Sequence, residues 1–185
     1  MRVAFFSETF LPKVDGLVTV ICLLLDHLAK RDIESVMVIP HMGANSLTQY
    51  ADTRLLSVPA VPFPFYTELK LGLPLVHTYR ELRAFDPQIV HVFQPIVAGN
   101  AGLLIAKQMR IPAVASLHLD LARITHHYGI GAIEPLVNLA ARIVFNAADT
   151  ALAPSRLMQR EMQQRGIHKV ALWGRGVDGE RFNPR

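Results

Sequence analysis

The sequence predicts a doubly wound α/β fold: a parallel sheet of about seven strands covered by helices on both faces. Three observations carry this. Short β-rich runs alternate with helical patterns of about 10 to 15 residues, the rhythm of β-α-β units. Half of the 185 residues (51%) are apolar and 18% are charged, enough to bury one sizeable core and unlike a disordered or coiled-coil chain. No internal repeat or low-complexity tract breaks the alternation.

Seven runs read as strands, each bounded by Gly, Pro or polar residues: Arg2 to Phe6, Ser35 to Ile39, Arg54 to Val58, Ile89 to Val92, Ala113 to Ser116, Thr150 to Ala153 and Val170 to Leu172. The helix after Gly16 is apolar on nearly all sides, with a thin polar stripe at Thr19, Asp26 and Lys30, and is expected to be sandwiched in the core. Pro74 to Phe85 and Ala98 to Met109 supply two more helices. From Ile133 to Ala148, Leu136, Ala140, Ile143, Val144 and Ala147 share one face, which predicts a surface helix packed on the sheet through them. Ser155 is a good N-cap, Gly166 a good C′ residue, and Ile167 is placed for the hydrophobic contact of a Schellman motif. Pro59 to Pro74 shows no clear periodicity. It carries Phe63, Phe65, Tyr66, Leu69 and Lys70, side chains that suit either an approach to a lipid acceptor or packing beneath a loop.

Nineteen Lys and Arg against fifteen Asp and Glu give a net charge of +4, spread along the chain with no basic stripe or tail. Nucleic-acid binding is therefore not expected, and a mild preference for anions remains. The one cysteine, Cys22, has no internal partner and points to the cytosol. Val3 to Phe6 is too short for a signal-peptide core, and Leu17 to Leu25 falls short of the ~20 residues of a spanning helix. Any membrane contact is expected to be peripheral.

In such a sheet, ligands bind beyond the carboxyl ends of the strands. After the first strand, Ser7 to Gly16 leads into a helix whose N-terminus suits a phosphate or sugar. Gly16 fits either that role or the relief of a tight turn. The dinucleotide fingerprint with three glycines is absent, and positions 40 and 41 are Pro and His rather than an acidic ribose ligand, so a nicotinamide enzyme is not expected. Continued alternation beyond Ser116 would turn His118 and Asp120 to one side of the crevice, where a histidine can donate a hydrogen bond or handle a proton. A hydrogen-bonded structural histidine fits the same position. His126-His127-Tyr128-Gly129-Ile130-Gly131 follows, and its ligand spacing matches no zinc pattern. A loop closing over substrate and a plain solvated loop are its two readings.

The motifs Pro12-Lys13-Val14-Asp15-Gly16, Ser116-Leu117-His118-Leu119-Asp120, His127-Tyr128-Gly129-Ile130-Gly131, Asp149 to Ser155, and Leu172-Trp173-Gly174-Arg175-Gly176-Val177-Asp178 with Arg181-Phe182-Asn183-Pro184 resemble the N-terminal domain of family 4 retaining glycosyltransferases. GDP-mannose-dependent α-mannosyltransferases and sulfoquinovosyldiacylglycerol synthases form the closest branch. The resemblance runs from the first strand to the last residue. It implies the Rossmann-like N-terminal half of a GT-B enzyme, with residues 1–173 as the acceptor-side domain, 174–185 as the start of the interdomain linker, and the C-terminal nucleotide-sugar domain absent from this chain. It also implies His118 and Asp120 in the catalytic wall, and Asp15, Gly16, Tyr128 and Arg175 in donor and acceptor binding. The partners implied are a GDP- or UDP-linked sugar as co-substrate, a lipid or glycan acceptor, and no metal or other cofactor. With the single cysteine and the lack of a spanning stretch, the expected location is cytoplasmic, peripheral on the inner face of the membrane. A second reading is a non-catalytic binding or split-subunit module that docks on a separate partner.

Overall fold

The computed structural model describes residues 1–43, 46–63, 66–127, 129–174 and 176. The elements run β1 (Arg2–Ser7), α1 (Gly16–Ala29), β2 (Glu34–Pro40), β3 (Gln49–Tyr50), β4 (Thr53–Val58), β5 (Ala60–Phe63), β6 (Tyr66–Gly72), α2 (Val76–Phe85), β7 (Ile89–Phe93), α3 (Ala98–Met109), β8 (Ala113–Ser116), α4 (Leu121–His127), a 3₁₀ turn (Gly131–Ile133), α5 (Glu134–Ala147), β9 (Thr150–Ala153), α6 (Arg156–Gln164) and β10 (Val170–Leu172). The main sheet has eight strands in the order β10-β9-β8-β7-β1-β2-β4-β3. All seven strands read from the sequence are in it and pair in parallel, while the two-residue β3 adds an antiparallel edge.

Strand alternation sorts the core into two layers. On one side Ala4 and Phe6 of β1, Val36 and Val38 of β2, and Val90 and Val92 of β7 meet Leu82 of α2, Leu103 of α3, Phe145 of α5 and Met162 of α6. On the other side Val3, Phe5, Met37, Ile39 and Phe93 meet Val18, Ile21 and Leu25 of α1. Among the described residues, α1 is the one helix on that second side. Its burial is therefore one-sided: Val18, Ile21 and Leu25 are buried, while Leu17, Leu24 and Leu28 are only partly so. The expected sandwiching of α1 does not occur, because a single sheet face meets it.

The α5 expectation is corrected in the same way. Phe145 is its buried residue, with Ala141 and Val144 partly buried beside it, while Leu136 and Ile143 are 66% and 62% exposed. The helix carries two apolar stripes, and the aromatic one faces the core. Residues 59–74 are corrected too. They hold an antiparallel hairpin, Ala60 opposite Gly72 and Val61 opposite Leu71, with an irregularity after Pro62. Prolines at 59, 62 and 64 interrupt the alternation that would have marked the strands, and the hairpin tolerates Pro62 because it is only two strands wide.

The helix-end signals read for α6 hold, and the structure adds a cap at α1 that the sequence reading did not name. Asp15 caps α1, its carboxylate accepting from the N–H groups of Leu17 and Val18 at 2.9 Å each. Ser155 caps α6 by accepting from Met158 N–H at 3.2 Å. Gly166 (φ +80°) ends α6 in a Schellman motif, with Ile167 N–H donating to Met162 O and Gly166 N–H to Gln163 O, both at 3.0 Å. Ile167 and Met162 lie in the same buried layer.

Helix α3 lies so close to β1 that a Cβ on Gly102 would stand 2.7 Å from the Phe6 ring. Gly102→Ala is expected to cost about 1–3 kcal/mol, the range for forced overpacking, read as a drop in the urea midpoint at unchanged m-value. An unchanged midpoint would mean that α3 shifts freely on the sheet.

Candidate functional site

Strand order leaves β1 in both directions, so the switch point lies between β1 and β7, and the residues beyond their carboxyl ends form the crevice where such sheets bind ligands. Four connections meet there: the loop from Ser7 to Asp15, Gln94 to Val97 after β7, Leu117 to Asp120 after β8, and Trp173 after β10.

On the first of these, Asp15 engages two N–H groups of α1 and approaches the Lys13 ammonium at 3.7 Å. Gly16 is exposed, its φ lies outside the left-handed region, and a Cβ there would meet nothing within 4 Å. Neither backbone strain nor packing therefore requires glycine at this position.

His118 belongs to a polar chain on an aromatic bed. Its Nε2 lies 2.8 Å from Ser116 Oγ, which lies 3.1 Å from Nε2 of His91 and 3.3 Å from Val92 O. Trp173 packs edge-on to both imidazoles, 5.9 Å from His118 and 5.3 Å from His91 between ring centres, and Phe93 lies against all three. Burial, and then the neighbouring His118, push the pKa of His91 down to about 3, so His91 is neutral at physiological pH.

Beyond Ser116 the strand stops, and the expected alternation stops with it. Gln94 causes the change: its Oε1 accepts from His118 N–H at 2.9 Å and Leu119 N–H at 2.8 Å, replacing a ladder partner. Asp120 then turns to α6. Its carboxylate takes a two-pronged contact from Arg165, 3.0 and 2.8 Å, and lies 3.4 Å from Arg123 Nε. Burial opposes its charge, but the Arg165 and Arg123 bonds win and hold its pKa below the ordinary value. Arg123 and Arg165 also reach Glu161, which makes a four-residue network. His118 and Asp120 thus lie on one loop with different partners. Tyr128 and Arg175 lie outside the described residues. Among the described residues, no three His, Cys, Asp or Glu side chains are grouped so as to hold a metal ion.

Two residues with central positions were missed by sequence reasoning. Glu8, at the exit of β1, is 4% exposed and accepts from backbone N–H groups of α3 and β6. Gln94 is buried with φ +56°, a backbone strained for a non-glycine residue. Their signal in the sequence is faint: Glu8 sits inside the polar run Ser7-Glu8-Thr9 after the first strand, and Gln94 is a single polar residue after Phe93. Beside them, at the carboxyl ends of β2 and β4 and under the β5–β6 hairpin, lies a cavity of about 660 Å³ lined by His41, Ser57, Pro59, Ala60, Pro62 and Lys70.

A mostly parallel sheet with its crevice at this switch point is the architecture of a GT-B domain. The Glycosyltransferase Family 4 pattern matches residues 14–181. A GDP-mannose-dependent alpha-mannosyltransferase of Mycobacterium tuberculosis is 35% identical over 191 residues, covering 100% of this chain and 50% of that protein. The sulfoquinovosyl transferase SQD2 of Arabidopsis thaliana is 29% identical over 157 residues, 82% of this chain and 30% of that protein. Among solved structures, the sucrose-phosphate synthase of Thermosynechococcus elongatus superposes with a TM-score of 0.64 at 13% identity, over 100% of this chain and 50% of that one, a likeness of fold. The chain belongs to glycosyltransferase family 4. It spans half or less of the length of these relatives and corresponds to their N-terminal half.

The neutral His91 has a consequence for stability. Below its ordinary value of 6.5 the unfolded chain takes up a proton that the folded chain refuses, so stability falls with pH, by up to about 1.4 kcal/mol per unit. Urea titrations from pH 7 to pH 4 should show a slope about 1 kcal/mol per unit shallower in His91→Phe than in the wild type. Parallel slopes would show that His91 charges within the fold.

Proposed function

We propose that this chain is the acceptor-side wall of a retaining glycosyltransferase that moves a hexose, mannose-like or sulfoquinovose-like, from a GDP- or UDP-linked donor to a lipid or glycan acceptor. The observation that carries the reading is the open space over Gly16, at the start of α1 and at the switch point of a family 4 sheet. A glycine that neither turn nor packing requires is what the close approach of a ligand to backbone would need.

Retaining transfer develops positive charge at the sugar carbon while a diphosphate leaves, so the site needs polarised donors at the leaving oxygens. With the Leu17 and Val18 N–H groups of α1 taken by Asp15, the backbone N–H of Gly16 would be the donor offered from this side. Cationic side chains of a donor-binding C-terminal domain would supply the rest, with residues 174–185 beginning the crossover to it. No metal or organic cofactor enters this scheme. Asp15 holds the first turn of α1 in place, and His118, steadied by Ser116 and Trp173, would contact a hydroxyl of the donor sugar. Asp120 braces that wall through Arg165, and Tyr128 and Arg175 would line it.

Purified alone and given GDP-mannose, the chain is expected to transfer no measurable sugar. Supplied with a donor-binding C-terminal domain it should transfer, and His118→Ala should then lower kcat by about 100-fold. Robust turnover by the chain alone would overturn the division of labour between two domains.

The lipid acceptor implies a peripheral, cytoplasmic-face location. No helix among the described residues is long and apolar enough to cross a membrane. Lys70 on the hairpin suits an anionic interface, where each cation adds about 1 kcal/mol, and Phe65, read with it from the sequence, lies outside the described residues. Co-sedimentation with phosphatidylglycerol vesicles should weaken severalfold in Phe65→Ser/Lys70→Glu. Equal binding by wild type and variant would remove the hairpin from this role.

A further inference from the structure

Glu8 is the most deeply buried carboxylate at the crevice, and the proposed chemistry has no use for it. Its Oε1 accepts from three consecutive N–H groups at the start of α3: Val97 at 2.6 Å, Ala98 at 2.5 Å and Gly99 at 3.4 Å. Its Oε2 accepts from Gly72 N–H, at the end of β6, at 3.1 Å. Among the described residues no Lys or Arg forms an ion pair with it. Backbone dipoles alone compensate the charge, and burial still raises its pKa against the four hydrogen bonds.

A helix needs no such arrangement to be capped. Asp15 and Ser155 cap α1 and α6 from the adjoining residue, whereas Val97, before α3, has no side-chain cap, and the carboxylate that serves α3 comes from 90 residues earlier. The second oxygen is equally specific. A Cβ on Gly72 would stand 3.0 Å from Val58 Cγ2 and 3.3 Å from Ala98 Cβ, so any side chain there must push these neighbours back by a few tenths of an ångström and strain the N–H contact. Leu73 N–H closes the hairpin base on Pro59 O at 2.8 Å, and Lys70 Nζ reaches His41 O at 3.3 Å. The cavity is walled by the hairpin (Ala60, Pro62, Lys70) on one side and by the exits of β2 and β4 (His41, Ser57) on the other, and Glu8 holds the hairpin side through Gly72.

We propose that Glu8 is a positioning residue whose carboxylate couples the base of the β5–β6 hairpin to the start of α3, and so anchors the hairpin wall of the cavity on the acceptor side of the crevice. The link to the acceptor rests on the function proposed above; the coupling itself does not. One oxygen orders the helix start beside the switch point, the other orders the hairpin, and the rigid carboxylate makes the two move together.

The variant that separates the two ends is Glu8→Gln. With its carbonyl oxygen kept on the three α3 donors, its NH₂ faces Gly72 N–H, donor against donor. Amide hydrogen exchange should then quicken at least tenfold at Gly72 and Leu73 and stay within threefold from Ala101 to Ile105 and in β1. Acetylation of Lys70 by an N-hydroxysuccinimide ester should rise severalfold relative to the exposed Lys30. Gly72→Ala attacks the same bond from the other side and should give the same local pattern with Glu8 intact. In the wild type, Gly72 and Ala98 amides should share one opening free energy, a measurement that needs no variant. Independent opening of these amides, or exchange that quickens evenly across sheet, helix and hairpin, would overturn the coupling. If the coupling holds but the two-domain protein transfers no sugar, the function fails and the positioning role stands.

Discussion

Parallel strands joined by right-handed crossovers leave little choice about where helices go. A chain that steps from β1 to β2 puts its helix on one face. The same chain, stepping from β7 through β8 and β9 to β10 in the opposite direction, puts α3, α5 and α6 on the other. The reversal at β1 and β7 therefore does two things at once. It opens the crevice between two diverging loops, and it leaves α1 as the single described helix on its own face. With no second helix there, the layer beside β7 and β8 is finished by side chains: Phe93, His91 and Trp173 pack where a helix would otherwise sit. His118 rests on that finish, so the candidate site inherits its footing from handedness.

Wherever the sheet ends at the crevice, ladder partners run out and backbone N–H groups need others. Water could serve, but here side chains from distant segments do. Gln94 serves the loop after β8, Glu8 serves α3 and the hairpin, and Ser116 joins the two imidazoles. Each bond between segments far apart in sequence removes a freedom of the loops. These loops would otherwise be the most mobile parts of the fold. The crevice is built to hold its shape.

Much of the fold could be read in the sequence because its signals are local. The seven parallel strands stand out as apolar runs between breakers, and Ser155 and Gly166 mark the ends of α6 by chemistry that acts within a few residues. Facing was harder. Periodicity in α5 offered the stripe of Leu136 and Ile143 as well as that of Phe145, and only the position of the sheet decides between them. The hairpin was obscured by its prolines. At the site, His118 and Asp120 could be found as polar residues after a strand, yet their partners Ser116, His91 and Arg165 follow from tertiary packing. Glu8 and Gln94 were hardest of all. What they do is defined by N–H groups 64 to 91 residues away for Glu8, and 24 and 25 for Gln94.

Trp173 has a further consequence. It is the only tryptophan among 185 residues, and its indole stands at 89° to the His118 ring while touching the bed formed by His91 and Phe93. All of the chain's indole emission therefore originates at the edge of its candidate site. A bound sugar that shifts His118, or a second domain that excludes water from the indole, changes the colour and yield of that emission. The protein carries an optical reporter at the edge of its crevice.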